Sequence, residues 1–401
     1  MDPLIWIDEQ LDLLSQSDLL RELPVPLRTA GATVEIDGQQ LVNFASNDYL
    51  GLAADERLVA AATDACRQQG IGRGASPLIC GRAEIHATLE KQLARFEQTE
   101  AALLFPTGFA VNAGIISALV DKGDAIYSDA KNHASIVDGC RLANAKTYVY
   151  PHCNTEALAR LLQNSDPTRR RLIVTDSLFS MDGDLAPLVE LGNLAERHDA
   201  MLMVDEAHAT GVFGTHGRGV VEHLAEQHPR LHKQIQVRVG TLSKALGSAG
   251  GFVCGSASLI GWLANRARTY VFSTAHPAAA SAAALAALEI VAEQPDRRKS
   301  LLEKSASLRH QLNEMGWDTG KSASQIIPLL VGSASETMRL AQALREAGFW
   351  VGAIRPPSVP EGESLLRLGL TAGLSDAMIA EFVAALRQLD HRSKRIRVVV
   401  S

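Results

Sequence analysis

Short apolar runs alternate along most of this chain with longer stretches whose apolar residues recur at helical spacing. The runs at 101–105, 124–128, 146–150, 171–176, 201–205 and 236–242 predict buried strands. Stretches at 109–119, 133–142, 154–163 and 187–197 lie between them and predict helices. Strands alternating with helices imply an α/β fold, a mostly parallel sheet covered on both faces. Two helices, 56–69 and 83–98, come first, and the glycines of Gly70-Ile71-Gly72-Arg73-Gly74-Ala75-Ser76-Pro77 mark a loop between them.

The ends of the chain read differently. Residues 4–23 predict an amphipathic helix, and 34–44 a hairpin turning at Asp37-Gly38. Past the alanine-rich stretch 277–291 comes a polar, charged break at 294–299. A helix (301–315), a strand (325–331), a helix (336–347), two strands (350–355 and 365–370) and a last helix follow. The organisation expected is an N-terminal arm (1–45), a large domain (46–293) and a small C-terminal α/β domain (294–401).

Composition narrows the function classes. A chain of 401 residues supports a large core without disulfide staples. Its net charge of −6 argues against nucleic acid as a partner. Five cysteines without a CxxC pair suggest neither a zinc site nor a disulfide framework, but reduced thiols in the cytoplasm. The acidic start lacks a signal peptide's basic region, and 277–291 is too short to span a bilayer, so no membrane role is expected.

The candidate chemistry sits where strands end. Val239 to Gly251 runs from a strand through Thr241-Leu242-Ser243-Lys244 into a glycine-rich turn. Apolar neighbours desolvate Lys244 and favour the neutral amine that attacks a carbonyl. By itself the stretch is equally a surface lysine at a strand–turn junction. Met201 to Gly211 decides between them: its strand delivers Asp205, with His208 three residues on. In open α/β sheets ligands bind at the carboxyl ends of strands. An aspartate, a histidine and a lysine there suit pyridoxal 5′-phosphate, whose ring needs an acid at its nitrogen. The rival reading of Val204-Asp205-Glu206-Ala207-His208 as a nucleotide hydrolase motif needs a GxxxxGK[ST] loop, and the chain has none. Thr107-Gly108-Phe109 opens a helix after a strand, a common phosphate-binding arrangement.

Six ordered segments resemble one family over nearly the whole chain: 44–51, Thr107-Gly108-Phe109, Asn132-His133-Ala134-Ser135, 177–187, 204–211 and 241–251. They are similar to the α-oxoamine synthases, fold-type-I pyridoxal phosphate enzymes that join an amino acid to an acyl thioester with loss of carbon dioxide. The resemblance implies that Lys244 carries the cofactor and moves the substrate's proton. Asp205 would pair with the pyridine nitrogen and His133 stack on the ring. His208 and Ser180 would bond the phenolic oxygen. Thr241 and the Gly108–Phe109 backbone would hold the phosphate. Arg367 and Asn47 would bind the amino acid's carboxylate, Arg21 and Ser358 would line the acyl path, and Ser76 would sit near the reacting centre. It also implies a homodimer with shared sites, in which Ser273 and Thr274 reach the partner's phosphate. Ala353 to Pro360 is most similar to the biotin-pathway branch, which uses L-alanine and a pimeloyl thioester. Ile79-Cys80-Gly81 is similar to the glycine C-acetyltransferase branch, so the branch stays open, as does an ordinary aminotransferase on the same fold.

Overall fold

The computed structural model describes residues 2–165 and 169–399, with 26–30 and 390–399 as backbone only. Residues 50–180 and 185–299 form one compact unit. Residues 1–49, 181–184 and 300–401 form the other.

The first unit is built on a seven-stranded sheet. Its spatial order is Ala101–Phe105, Gly251–Gly255, Val237–Thr241, Met201–Asp205, Arg171–Asp176, Ala125–Asp129 and Lys146–Tyr150. Gly251–Gly255 runs antiparallel to both neighbours, and the other six strands share one direction. Central strands such as Val237–Thr241 are buried at every position, as a sheet covered on both faces requires. Lys146–Tyr150, at the edge, keeps Lys146, Thr147 and Val149 exposed. One face packs Phe105, Ile126, Val174, Met203 and Val239 against Val111, Ile115 and Ile116 of the helix Gly108–Leu119. The antiparallel strand and the turn Pro77–Gly81, a π-helical turn closed by Gly81 N–H to Ser76 C=O at 3.0 Å, were not expected from pattern.

In the second unit, Ile326–Gly332, Ser364–Gly369 and Gly352–Ile354 form an antiparallel sheet. Pro26–Ala30, Thr33–Ile36, Gln39–Asn43 and Phe349–Trp350 form a second sheet. The expected hairpin is present, and Asp37 (φ 52°) and Gly38 (φ 73°) both adopt the left-handed conformation a two-residue turn needs. Phe44 stacks on Phe382 at 4.4 Å, and Phe349 meets Phe382 edge-on at 5.3 Å, which locks the N-terminal segment to the last helix, Asp376–Val399.

Three expectations need correction. The N-terminal helix ends at Gln16, where the chain turns at Asp18 (φ 56°), and no residue of Ile5–Gln16 is buried. The helix expected over 301–315 starts earlier, as Pro295–Glu314, with proline at its first position, where the missing N–H costs nothing. The strand expected over 350–355 is two strands, Phe349–Trp350 and Gly352–Ile354, which pair in different sheets. All five cysteines are free thiols, and no described helix is long and apolar enough to cross a membrane.

Buried charge in the large sheet makes a pH-dependent contribution. Arg238 lies within a buried strand and donates to the Glu97 and His232 carbonyls at 2.7 and 3.0 Å. The Glu97 carboxyl is buried beside it, and desolvation pushes its pKa up to about 8 despite the Arg238 charge. The native state therefore holds a proton that the unfolded chain releases near 4.5, so stability falls as pH rises between about 4.5 and about 8. Glu97→Gln should flatten this decline by at most about 1.4 kcal/mol per pH unit, as measured by urea midpoints at pH 5 and pH 8.

Candidate active site

Because six strands are parallel, the segments after Phe105, Asp129, Asp176, Asp205 and Thr241 all emerge along one edge of the sheet. Five short strands thereby deliver polar residues to one place. Asp205 ends its strand only 5% exposed. Its Oδ1 accepts the Ala207 N–H at 2.8 Å, and its Oδ2 accepts the Asn112 Nδ2–H at 2.6 Å. Lys244, half-buried in the turn after Thr241, places Nζ 2.8 Å from Nε2 of the buried His208.

His133 caps the helix Ala134–Leu142. Its N–H donates to Asp176 Oδ2 at 2.7 Å, and its Nδ1 lies 2.7 Å from Ser135 Oγ. Desolvation of the ring lowers its pKa; Asp205 opposes the shift and the Lys244 charge reinforces it, so the imidazole is neutral at pH 7. Asp176 is the register partner of Asp205 on the adjoining strand. Burial first, and then the Asp205 charge, raise the Asp176 carboxyl well above its ordinary pKa. Two buried carboxyls side by side cannot both ionise cheaply, and Asp205 has the better donors.

The helix Gly108–Leu119 begins at the same edge. Thr107 accepts the Ala110 N–H, leaving the Gly108 and Phe109 amides available to an anion at the helix N-terminus. The Thr241 hydroxyl borders this turn: a methyl added to Gly108 would lie 3.5 Å from it. The close approach depends on glycine, since a Cβ on Gly251 would come within 2.8 Å of the Gly108 N and Cα.

The other residues singled out in the sequence fall in three places. Ser180 is half-buried in the loop after Asp176. Ser76 precedes the π-helical turn, whose segment is tied to 273–275 by the Ala275 N–H to Ala75 C=O bond at 2.9 Å, so Ser76, Ser273 and Thr274 are brought together. In the second unit Arg367, buried on Ser364–Gly369, donates from Nη2 to Asn47 Oδ1 at 3.1 Å and to Tyr49 Oη at 3.3 Å. There too Arg21 donates to the Pro356 carbonyl at 3.2 Å, on the loop that carries the exposed Ser358.

The class I and II aminotransferase family model matches residues 39–386. An 8-amino-7-oxononanoate synthase from Anaeromyxobacter dehalogenans is 49% identical over 381 residues, 95% of this chain and 94% of that protein. The chain belongs to the α-oxoamine synthase family of class I and II aminotransferases. Among solved structures, an S. paucimobilis serine palmitoyltransferase with a bound PLP–myriocin aldimine matches with a TM-score of 0.90 at 31% identity, covering 97% of this chain and 100% of that one. An 8-amino-7-oxononanoate synthase from Francisella tularensis matches with a TM-score of 0.75 at 27% identity, covering 88% and 99%. The fold is that of the fold-type-I pyridoxal phosphate transferases, and the cofactor of this α-oxoamine synthase is pyridoxal 5′-phosphate. The residues fit that group: helix-terminal amides and a hydroxyl for a phosphate, a buried carboxylate for a ring N–H, and a half-buried lysine, all at one sheet edge.

Sequence reasoning did not single out Asn112, Asp176 or Glu206. Asn112 had a signal, as the one amide in a mostly apolar helix, and so did Asp176, an acid closing the strand Arg171–Asp176. Glu206 accepts from Ser177 Oγ, Val220 N–H and Val221 N–H at 2.7, 3.0 and 2.8 Å, and so anchors the loop that follows His208. Gly251→Ala should displace the Gly108 turn and weaken pyridoxal phosphate binding about tenfold, while pyridoxal without its phosphate loses little. Spectrophotometric titration of the apoprotein with each compound measures the difference.

Proposed function

We propose that this enzyme condenses L-alanine with a pimeloyl thioester, releasing carbon dioxide and the free thiol and forming 8-amino-7-oxononanoate. The observation that carries this reading is the meeting of Lys244 with His208 at 2.8 Å beside the buried Asp205, in a chain 49% identical to a protein of that name. Bound pyridoxal phosphate supplies an electron sink for the charge left at the amino acid's α-carbon. The chain's own residues do the rest in this reading. Lys244 Nζ holds the cofactor and then takes and returns the α-proton. Asp205, held at both oxygens, would keep a proton on the pyridine nitrogen. Neutral His133 covers the ring and excludes water. Ser180 and His208, whose Nε2 lies 2.8 Å from Lys244 Nζ, would hydrogen-bond the phenolic oxygen. The Gly108 and Phe109 amides and the Thr241 hydroxyl bind the phosphate.

Arg367 is the carboxylate receptor, with Asn47 steadying its guanidinium at 3.1 Å. Arg21 and Ser358 flank the acyl path, and Ser76 lies near the reacting carbon. The same reading makes the protein a cytoplasmic homodimer whose Ser273 and Thr274 reach the partner's phosphate. It also takes 1–45 as an arm, 46–293 as the large domain and 294–401 as the small one.

Borohydride reduction of the holoenzyme followed by peptide mapping should place the pyridoxyl group on Lys244; a label on another lysine overturns the assignment. Substrate choice is read by competition among alanine, glycine and serine with pimeloyl and acetyl thioesters, products identified by mass. The expected main product is 8-amino-7-oxononanoate. A glycine–acetyl product would move the chain to the glycine C-acetyltransferase branch, and a keto acid formed without acyl donor would make it an aminotransferase. One methyl separates alanine from glycine, worth about 1–3 kcal/mol in a pocket, so a preference of roughly 10- to 200-fold is expected.

A further inference from the structure

We propose that Asn112 and Ser135 are positioning residues that join Asp205 to His133, fixing the aspartate's carboxylate plane and the histidine's tautomer together. The inference rests on the cofactor reading above. Asn112 is 1% exposed and stands one turn into the helix Gly108–Leu119. Its Nδ2 has two hydrogens, and both are spent: one on Asp205 Oδ2 at 2.6 Å, the other on Ser135 Oγ at 2.9 Å. The amide cannot be turned over, because its oxygen would then face the carboxylate at that short distance, acceptor against acceptor. With Oδ1 on the Ala207 N–H, the carboxylate is gripped at both oxygens.

The proton order then follows along the chain of bonds. Ser135 Oγ accepts from Asn112, so its single hydrogen is free to point at His133 Nδ1, 2.7 Å away. The Ser135 N–H donates to the same nitrogen at 3.2 Å. Two donors converge on Nδ1, which therefore carries no proton, and the neutral ring keeps its proton on Nε2. Asp205 thus dictates, through two side chains, which nitrogen of His133 is protonated. One feature sets this network apart from a simple helix–sheet staple. Asn112 Oδ1 is buried with no hydrogen-bond partner among the described residues. A buried, unmet carbonyl is a cost that an apolar residue would avoid, and such costs collect where a site needs a particular donor.

The test labels all histidines with ¹⁵N in the full-length protein, with and without pyridoxal phosphate, and assigns His133 by difference from His133→Asn. The expected result is an unprotonated Nδ1 and a protonated Nε2 in both forms. Ser135→Ala should shift the ring towards a mixture of tautomers, and Ser135→Thr should restore the single form. Asn112→Ala should weaken pyridoxal phosphate binding about 10- to 100-fold, as loss of a hydrogen bond to a charged group does, whereas Ser135→Ala should change it little. A proton on Nδ1 in the unaltered protein, or His133 shifts that ignore Ser135→Ala, overturns the proposal. So does Asn112→Ala with unchanged cofactor affinity and unchanged His133 shifts. If Asn112→Ala does not fold, the serine pair alone decides. The tautomer of the apoprotein is independent of cofactor chemistry, so failure of the cofactor reading would appear separately, as a chain that binds no pyridoxal phosphate.

Discussion

Parallel strands share a carboxyl end, and the rest of this protein's chemistry depends on that constraint. Six strands of the large sheet run one way, so whatever follows each of them arrives at the same edge. Thr107, His133, Asp176, Asp205 and Lys244 are spread over more than a hundred positions of chain, yet register alone brings Asp176 beside Asp205. The single reversed strand, Gly251–Gly255, belongs to the same logic. Its start lies at that edge, and its first residue is a glycine that lets the Gly108 turn come close. A strand entering the sheet backwards closes the Lys244 turn directly, without a crossover helix.

Gathering polar groups at a buried edge has an electrostatic cost, and the local structure is organised to meet it. Asp205 and Asp176 sit side by side out of water, and only one of them is supplied with good donors. The other keeps its proton and serves as an acceptor for the His133 backbone. Glu206, equally buried, is offset by a serine hydroxyl and two amides. The neighbours of each acid, rather than its residue type, set how its burial is met. In the other unit a buried cation is positioned in the same way: the Arg367 guanidinium donates to an asparagine oxygen and a tyrosine hydroxyl.

Much of this could be read along the chain. The boundaries of the strands Ala101–Phe105, Lys146–Tyr150, Arg171–Asp176 and Met201–Asp205 and of the helix Glu56–Gln69 follow from apolar runs and capping residues that act over a few positions. The Asp37-Gly38 turn follows from the left-handed conformations its two residues tolerate. Lys244 and Asp205 stand out because a strand's end is a local event, marked by the last apolar residue. Where the pattern misled, a longer-range interaction had intervened. Val351 interrupts the strand expected over 350–355, and the two halves then pair with distant partners, Gln39–Asn43 and Ser364–Gly369.

What the sequence by itself determined is therefore the alternation of elements, the strand-end positions of the lysine, aspartate and histidines, and the family those motifs mark. Only the tertiary structure decided which groups meet: Lys244 with His208, Asn112 with Asp205 and Ser135, Arg367 with Asn47. It alone decided that burial beside Asp205 raises the Asp176 carboxyl, that burial lowers the His133 imidazole, and that Gly251 makes room for Gly108. The reason is physical: period and propensity act between neighbours in the chain, whereas hydrogen-bond partners and charge states depend on burial and on groups brought within about 3 Å from far away in sequence.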